Sequence, residues 1–270
     1  MKNQKVYEAD DQLISIIRDN YNVLQSLGSF GISLGFGDKT VKEVCEKEHV
    51  DTTTFLAVVN FTINGYLDKI QVDLLDVATL LHYLRASHEY FMKFQLPFIR
   101  KKLADSLDET DNVGKLILKL YDNYVHSITS HMTFEERTLF PYVQRLLDGQ
   151  SGGKFNIDTF SKHHSTVTQK LKELKSIIIK YLPSDELRNN RLTATLYDLY
   201  NNEEWLSLHS EVEDNIFIPA IHHLENKLKK DINMPTPVSV NLLSERERDV
   251  VVSLVHGMSN KEIADHLNIS

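Results

Sequence analysis

His131-Met132-Thr133-Phe134-Glu135-Glu136, running on to Phe140-Pro141, and His209-Ser210-Glu211-Val212-Glu213-Asp214, running on to Ile218-Pro219, decide how this chain is read. Each stretch has the pattern His-x-x-x-Glu with a proline ten residues beyond the histidine. On an α-helix, residues four apart leave one face a single turn apart, so an imidazole and a carboxylate at that spacing can hold a metal ion from one side. The two stretches are also in register. His131 and His209, Glu135 and Glu213, and Pro141 and Pro219 are each separated by 78 positions. One such His and Glu on a helix is more often a solvated surface pair. Three residue types kept at one offset point instead to a duplicated metal-binding device.

The same offset points to further partners. His88 and His164 lie 76 positions apart, close to one repeat. Each half of the region then reads as a helix with one histidine followed by a helix with a histidine and a glutamate. Four such helices would converge in a bundle core, a common place for a dinuclear metal site. The expected ligands are His88, His131, Glu135, His164, His209 and Glu213. His82 competes with His88, and His163 with His164. Apolar positions 167, 171, 174 and 178 place His164 on the core stripe of its helix. His49, His126, His222, His223, His256 and His266 have no partner in the repeat and read as surface, supporting or capping residues. Tyr83, Tyr90, Tyr124 and Tyr142 are candidates to line the cavity, although aromatic residues at helical spacing usually form core.

Length and composition agree with this reading. A chain of 270 residues with 10 Gly and 6 Pro, rich in Leu, Ile, Lys and Glu, has few helix breakers and little strand alternation, so the expected fold is all-α. A single Cys makes no internal disulfide, and the opening MKNQKVYEADDQL lacks a signal peptide's apolar core, so a reducing cytoplasm is expected. No apolar run is long enough to span a bilayer. The net charge of −8 argues against broad attraction to nucleic acid, while leaving room for a small DNA-reading module.

Four segments are expected. Residues 1–65 form a small helical module, with a turn-rich interruption at Gly28 to Asp38 and helix starts at Asp38 to Glu43 and at Asp51-Thr52-Thr53-Thr54. The bundle spans 75–230, with Pro97 kinking or restarting the first helix and Pro141 bending the second. The loop 148–156 separates its halves. Residues 231–241, with two prolines, read as a linker, and 242–270 begin a new helical module.

Four imidazoles and two carboxylates form a nitrogen-rich, symmetric set that fits two iron ions bridged by both glutamates. Six protein donors leave room for an oxo or hydroxo bridge and for a small exogenous ligand.

The residues resemble a known family. HEYF at 88, HMTFEERTLFP at 131, KHHSTVTQKL at 163 and HSEVEDNIFIP at 209 look like the four helices of the hemerythrin-like HHE family. Within it, the repeated His-x-x-x-Glu resembles the iron-sulfur cluster repair proteins, which implies a non-haem di-iron centre held by four His and two Glu. Oxygen-carrying hemerythrins have a further His four residues after the third-helix ligand, where this chain has Thr168. FGISLGFGDKTVKEVC, 30–45, looks like the short domain preceding the bundle in the repair proteins. Gly35 and Phe36 stand where those proteins have a Cys-Cys pair, and only Cys45 remains downstream. LSERERDVVVSLVHGMSNKEIADHLNIS, 243–270, is similar to the opening of a LuxR-type helix-turn-helix. In that family the recognition helix comes next, so by this resemblance DNA is a partner only once that helix is supplied.

The expected function is a cytoplasmic di-iron protein that binds oxygen, nitric oxide or a peroxide and reports to a transcriptional module, as a monomer or a homodimer. The alternative is iron-sulfur cluster repair or iron donation under nitrosative or oxidative stress. A third reading is a helical interaction protein that holds no metal.

Overall fold

The computed structural model describes residues 5–65, 71–107, 112–150, 157, 167–182, 186–233, 249–250 and 264. Local capping chemistry starts the first helices. Thr40 accepts a hydrogen bond from the Glu43 backbone N–H, and the Glu43 carboxylate accepts one from the Thr40 N–H, which closes a capping box on α3 (Val41–Glu48). Asp51 accepts from the Thr54 N–H and caps α4 (Thr52–Asn64). Before them lie α1 (Leu13–Asp19) and α2 (Val23–Ser29). The glycine-rich stretch between α2 and α3 turns at Gly31, Gly35 and Gly37, all at positive φ, where a side chain would be strained. His49 ends α3 in the left-handed conformation, so this histidine has a capping role.

This module leans on the next helix, α5 (Val77–Tyr90). Phe30 packs edge-on to Phe55 at 5.2 Å and lies 4.6 Å from the Tyr83 ring of α5. The Thr54 hydroxyl accepts from the Asp76 N–H at 2.8 Å, while the Asp76 carboxylate caps α5 by accepting from the Thr79 N–H at 2.9 Å. Replacing Asp76 with alanine is expected to cost about 0.5–2 kcal/mol, read as a lowered denaturation midpoint with unchanged slope.

Three helical arms then share one backbone device. In the first arm, α5 passes through a π-helical turn, Phe91–Gln95, into α6 (Leu96–Ser106). In the second, α7 (Asn112–Phe134) passes through Glu135–Leu139 into α8 (Phe140–Leu147). After α9 (Val167–Tyr181), α10 (Glu186–Val212) passes through Glu213–Phe217 into α11 (Ile218–Asn233). A proline inside a helix lacks an N–H, and its ring crowds the turn before it. Each π-turn relieves that crowding two residues ahead of Pro97, Pro141 or Pro219. The residue before the proline bonds five positions back: Leu96 to Phe91, Phe140 to Glu135, Ile218 to Glu213. The helices thus run through these three prolines on a widened turn, where the sequence suggested a kink or restart at Pro97 and a bend at Pro141.

The arms pack α7 along α9 and α6 along α10 around a shared apolar core. Leu171, Leu174 and Ile178 of α9 are buried, as the stripe on that helix requires. Two hydrogen bonds run through the core: the Tyr121 hydroxyl donates to the Leu96 carbonyl at 2.8 Å, and Asn202 donates to the Tyr124 hydroxyl at 2.9 Å. Among the described residues there is no strand, only an isolated bridge between Gln12 and Thr40. No helix among them is long and apolar enough to cross a membrane. Contacts divide the chain into Met1–Glu225, which holds the module and the core of the arms, and Asn226–Ser270.

Candidate metal centre

The centre forms where the π-turns of the second and last arms meet α5. His131 and His209 stand four residues ahead of Glu135 and Glu213, and each glutamate is the first residue of its π-turn. His88 projects from the last turn of α5. Ligand atoms of His88, Glu135, His209 and Glu213 all lie within 4.8 Å of one another, and all four side chains are buried. The Nε2 atoms of His88 and His209 face each other at 3.2 Å. Glu135 reaches two imidazoles, with Oε2 at 3.0 Å from His88 Nε2 and Oε1 at 2.9 Å from His131 Nε2. Glu213 Oε1 lies 3.5 Å from His209 Nε2.

Five of the six expected ligands are therefore brought together: His88, His131, Glu135, His209 and Glu213. His164 and its competitor His163 lie outside the described residues. His82 is exposed and faces away toward Gly31, whereas the cluster takes in His88. His131 is the most accessible of the five, at 22%. It shares with His209 the wall of a cavity of about 150 Å³, whose other lining includes Tyr124, Ile128, Met132 and Leu206. Of the tyrosines considered for that wall, Tyr124 takes part. Tyr83 and Tyr90 pack elsewhere, on Phe30 and Trp205, and Tyr142 donates to Glu225.

The outer face of the two buried imidazoles is held by residues that the ligand pattern did not reveal. His88 Nδ1 lies 3.2 Å from Glu136 Oε1, and His209 Nδ1 lies 3.1 Å from Ser87 Oγ. The His88 ring stacks on Phe140 at 5.1 Å, and Phe140 meets Phe217 edge-on at 6.3 Å. A signal for Ser87 was present: it stands ten residues before Pro97, as His131 and His209 stand before Pro141 and Pro219.

The donor chemistry fits a cation. Two fully buried carboxylates next to facing imidazole nitrogens would be costly to desolvate without positive charge between them. Burial works against the charged form of His88, but hydrogen bonds to Glu135 and Glu136 outweigh it and push its pKa up to about 9. A proton on His88 supplies positive charge in the metal-free protein. Because this folded pKa lies above the ordinary 6.5, the stabilisation is full below about pH 6.5 and is lost as pH rises through about 9. The melting temperature of metal-free protein is expected to fall across that interval, and His88→Gln to flatten the fall.

Residues 79–221 match the family model described as the hemerythrin HHE cation binding domain, over more than half of the 270 residues. This chain belongs to the hemerythrin HHE family. The matched span begins within α5 and ends within α11, and so takes in all five clustered residues. The hemerythrin HHE domain is followed by a second match, residues 241–270, to the model described as bacterial regulatory proteins, luxR family. No curated protein and no solved structure matches the chain. A hemerythrin cation-binding domain and a segment of the luxR regulatory family are thus joined in one chain.

Proposed function

We propose that this protein is a cytoplasmic, non-haem di-iron sensor that binds oxygen, nitric oxide or a peroxide in its hemerythrin domain and passes that state to the LuxR-type segment. The buried convergence of His88, Glu135, His209 and Glu213 within 4.8 Å is the observation that carries the reading. His88, His131 and His209, with His164 as the fourth imidazole, and the carboxylates of Glu135 and Glu213 would hold two irons. Such a centre supplies an open coordination position to a small ligand. The chain's own part is to shape access: the cavity beside His131 and His209 is walled by apolar Ile128, Met132, Leu171 and Leu206 and by polar Glu203, Ser207, Ser210, Glu211 and Asp214, and at about 150 Å³ it has room for a small molecule. The π-turns put each glutamate where backbone geometry is least regular, so small shifts there can move α8 and α11 as units.

Iron-sulfur cluster repair is the second class considered. It gains no support from the thiol, since Cys45 is buried and burial pushes its pKa up to about 11, which keeps it protonated and unreactive. The test of the sensor reading is the DNA affinity of the full-length protein, measured with iron-loaded, iron-free and nitric-oxide-treated material. Affinities that differ between these states support it, and identical affinities refute it.

A further inference from the structure

We propose that Ser87 and Glu136 are positioning residues of the metal centre, which hold His209 and His88 with their Nε2 atoms turned inward. The proposal rests on the metal-binding reading above. An imidazole offers one nitrogen to a cation only when its proton sits on the other. His88 and His209 present Nε2 to each other at 3.2 Å, and each has an oxygen on its far side: Glu136 Oε1 at 3.2 Å and Ser87 Oγ at 3.1 Å. Donation from each Nδ1–H to that oxygen selects the tautomer whose Nε2 lone pair faces the centre. It also fixes the rotation of the ring, as outer partners of metal-bound histidines do.

The register of the arms shows how this arrangement arises. The first arm repeats the backbone device of the other two, with a π-turn at Phe91–Gln95 and Pro97 two residues beyond it. At the positions of the histidine and glutamate, however, it has Ser87 and Phe91. Ser87 bonds the outer nitrogen of His209, and Phe91 sets its ring edge-on to the same imidazole at 6.1 Å. The first arm thus supports a ligand of the last arm, and its own ligand, His88, is displaced by one residue, about 100° around the helix. The second arm divides the work in the same way. Glu135 faces the inner nitrogen of His88, and its neighbour Glu136 faces the outer one.

The test uses the whole chain and its S87A and E136L variants. Ferrous affinity is measured by competition with a chelator, and ring tautomers by nitrogen-15 NMR of protein loaded with zinc as a diamagnetic probe. The expected result is a loss of about 10–100-fold in affinity for each variant. It is accompanied by loss of the single Nδ1–H form at His209 in S87A and at His88 in E136L. Metal-free melting temperature is read alongside, because a merely structural role would lower it without changing the tautomers. Glu136 is one-third exposed, so E136L keeps the test open should S87A fold poorly. Wild-type affinity and unchanged ring signals in both variants would overturn the positioning roles while leaving the metal centre intact. Failure of the wild-type protein to bind either ion would overturn the metal reading itself, and the proposal with it.

Discussion

Replacing His209 with alanine is expected to abolish metal binding: for the two-iron centre proposed above, iron in anaerobically purified material should fall from about two per chain, the load of a bundle-core dinuclear site, to a trace. His209 is 5% exposed, its Nε2 faces His88 at 3.2 Å, and it shares α10 and the following π-turn with Glu213. Its removal takes one donor from the centre and leaves Glu213 without the imidazole one turn away. An ion present at a hundred times its dissociation constant stabilises a protein by about 2.7 kcal/mol. For a domain of this size each kcal/mol is about 2–4 °C, so iron should raise the wild-type melting temperature by about 5–10 °C. H209A should show no such rise. Elemental analysis and calorimetry check both parts, and wild-type iron content in H209A would contradict the assignment.

Phe140→Ala should be the most damaging single change in the packing around the centre, costing about 3–5 kcal/mol in chemical denaturation. Phe140 is fully buried, opens α8 directly after the second π-turn, stacks on His88 and meets Phe217 of the last arm. One ring therefore braces the His88 imidazole and ties the end of the second π-turn to the third. Truncation leaves a cavity against His88, so metal affinity should fall with stability. Tyr197→Ala offers the contrast: at 69% exposed, it should change stability by no more than about 0.5 kcal/mol.

The clustered residues were legible because metal coordination restricts residue type, and duplication put that restriction in the sequence twice. His131, Glu135, His209 and Glu213 could be read from one offset, and His88 from its near match to the repeat. His82 lies on α5 too and competed with His88 in the sequence; burial and the contacts with His209 and Glu135 set His88 apart in the fold. Ser87, Glu136 and Phe140 were not read, because a serine, a second acid or an aromatic residue has too many ordinary uses to stand out. The π-turns were missed for a related reason. Proline predicts that a helix must yield, but whether it kinks or widens depends on which residues the core requires to stay in phase beyond it. The buried ion pair of Lys175 with Glu203, with Lys175 over the Tyr200 ring at 3.7 Å, was equally hidden. A lysine beside an apolar stripe reads as solvated until a partner from another helix is known. By contrast, the module's helix starts at Thr40 and Asp51 could be read directly, because a cap is a local bargain between residues three apart.

Whether these arms enclose two irons is settled by a crystal structure of the iron-loaded protein with anomalous data collected at the iron edge. Two peaks per chain are expected, within coordinating distance of His88, His131, Glu135, His209 and Glu213. No peak among these residues, or iron bound only elsewhere on the chain, would contradict the two-iron centre.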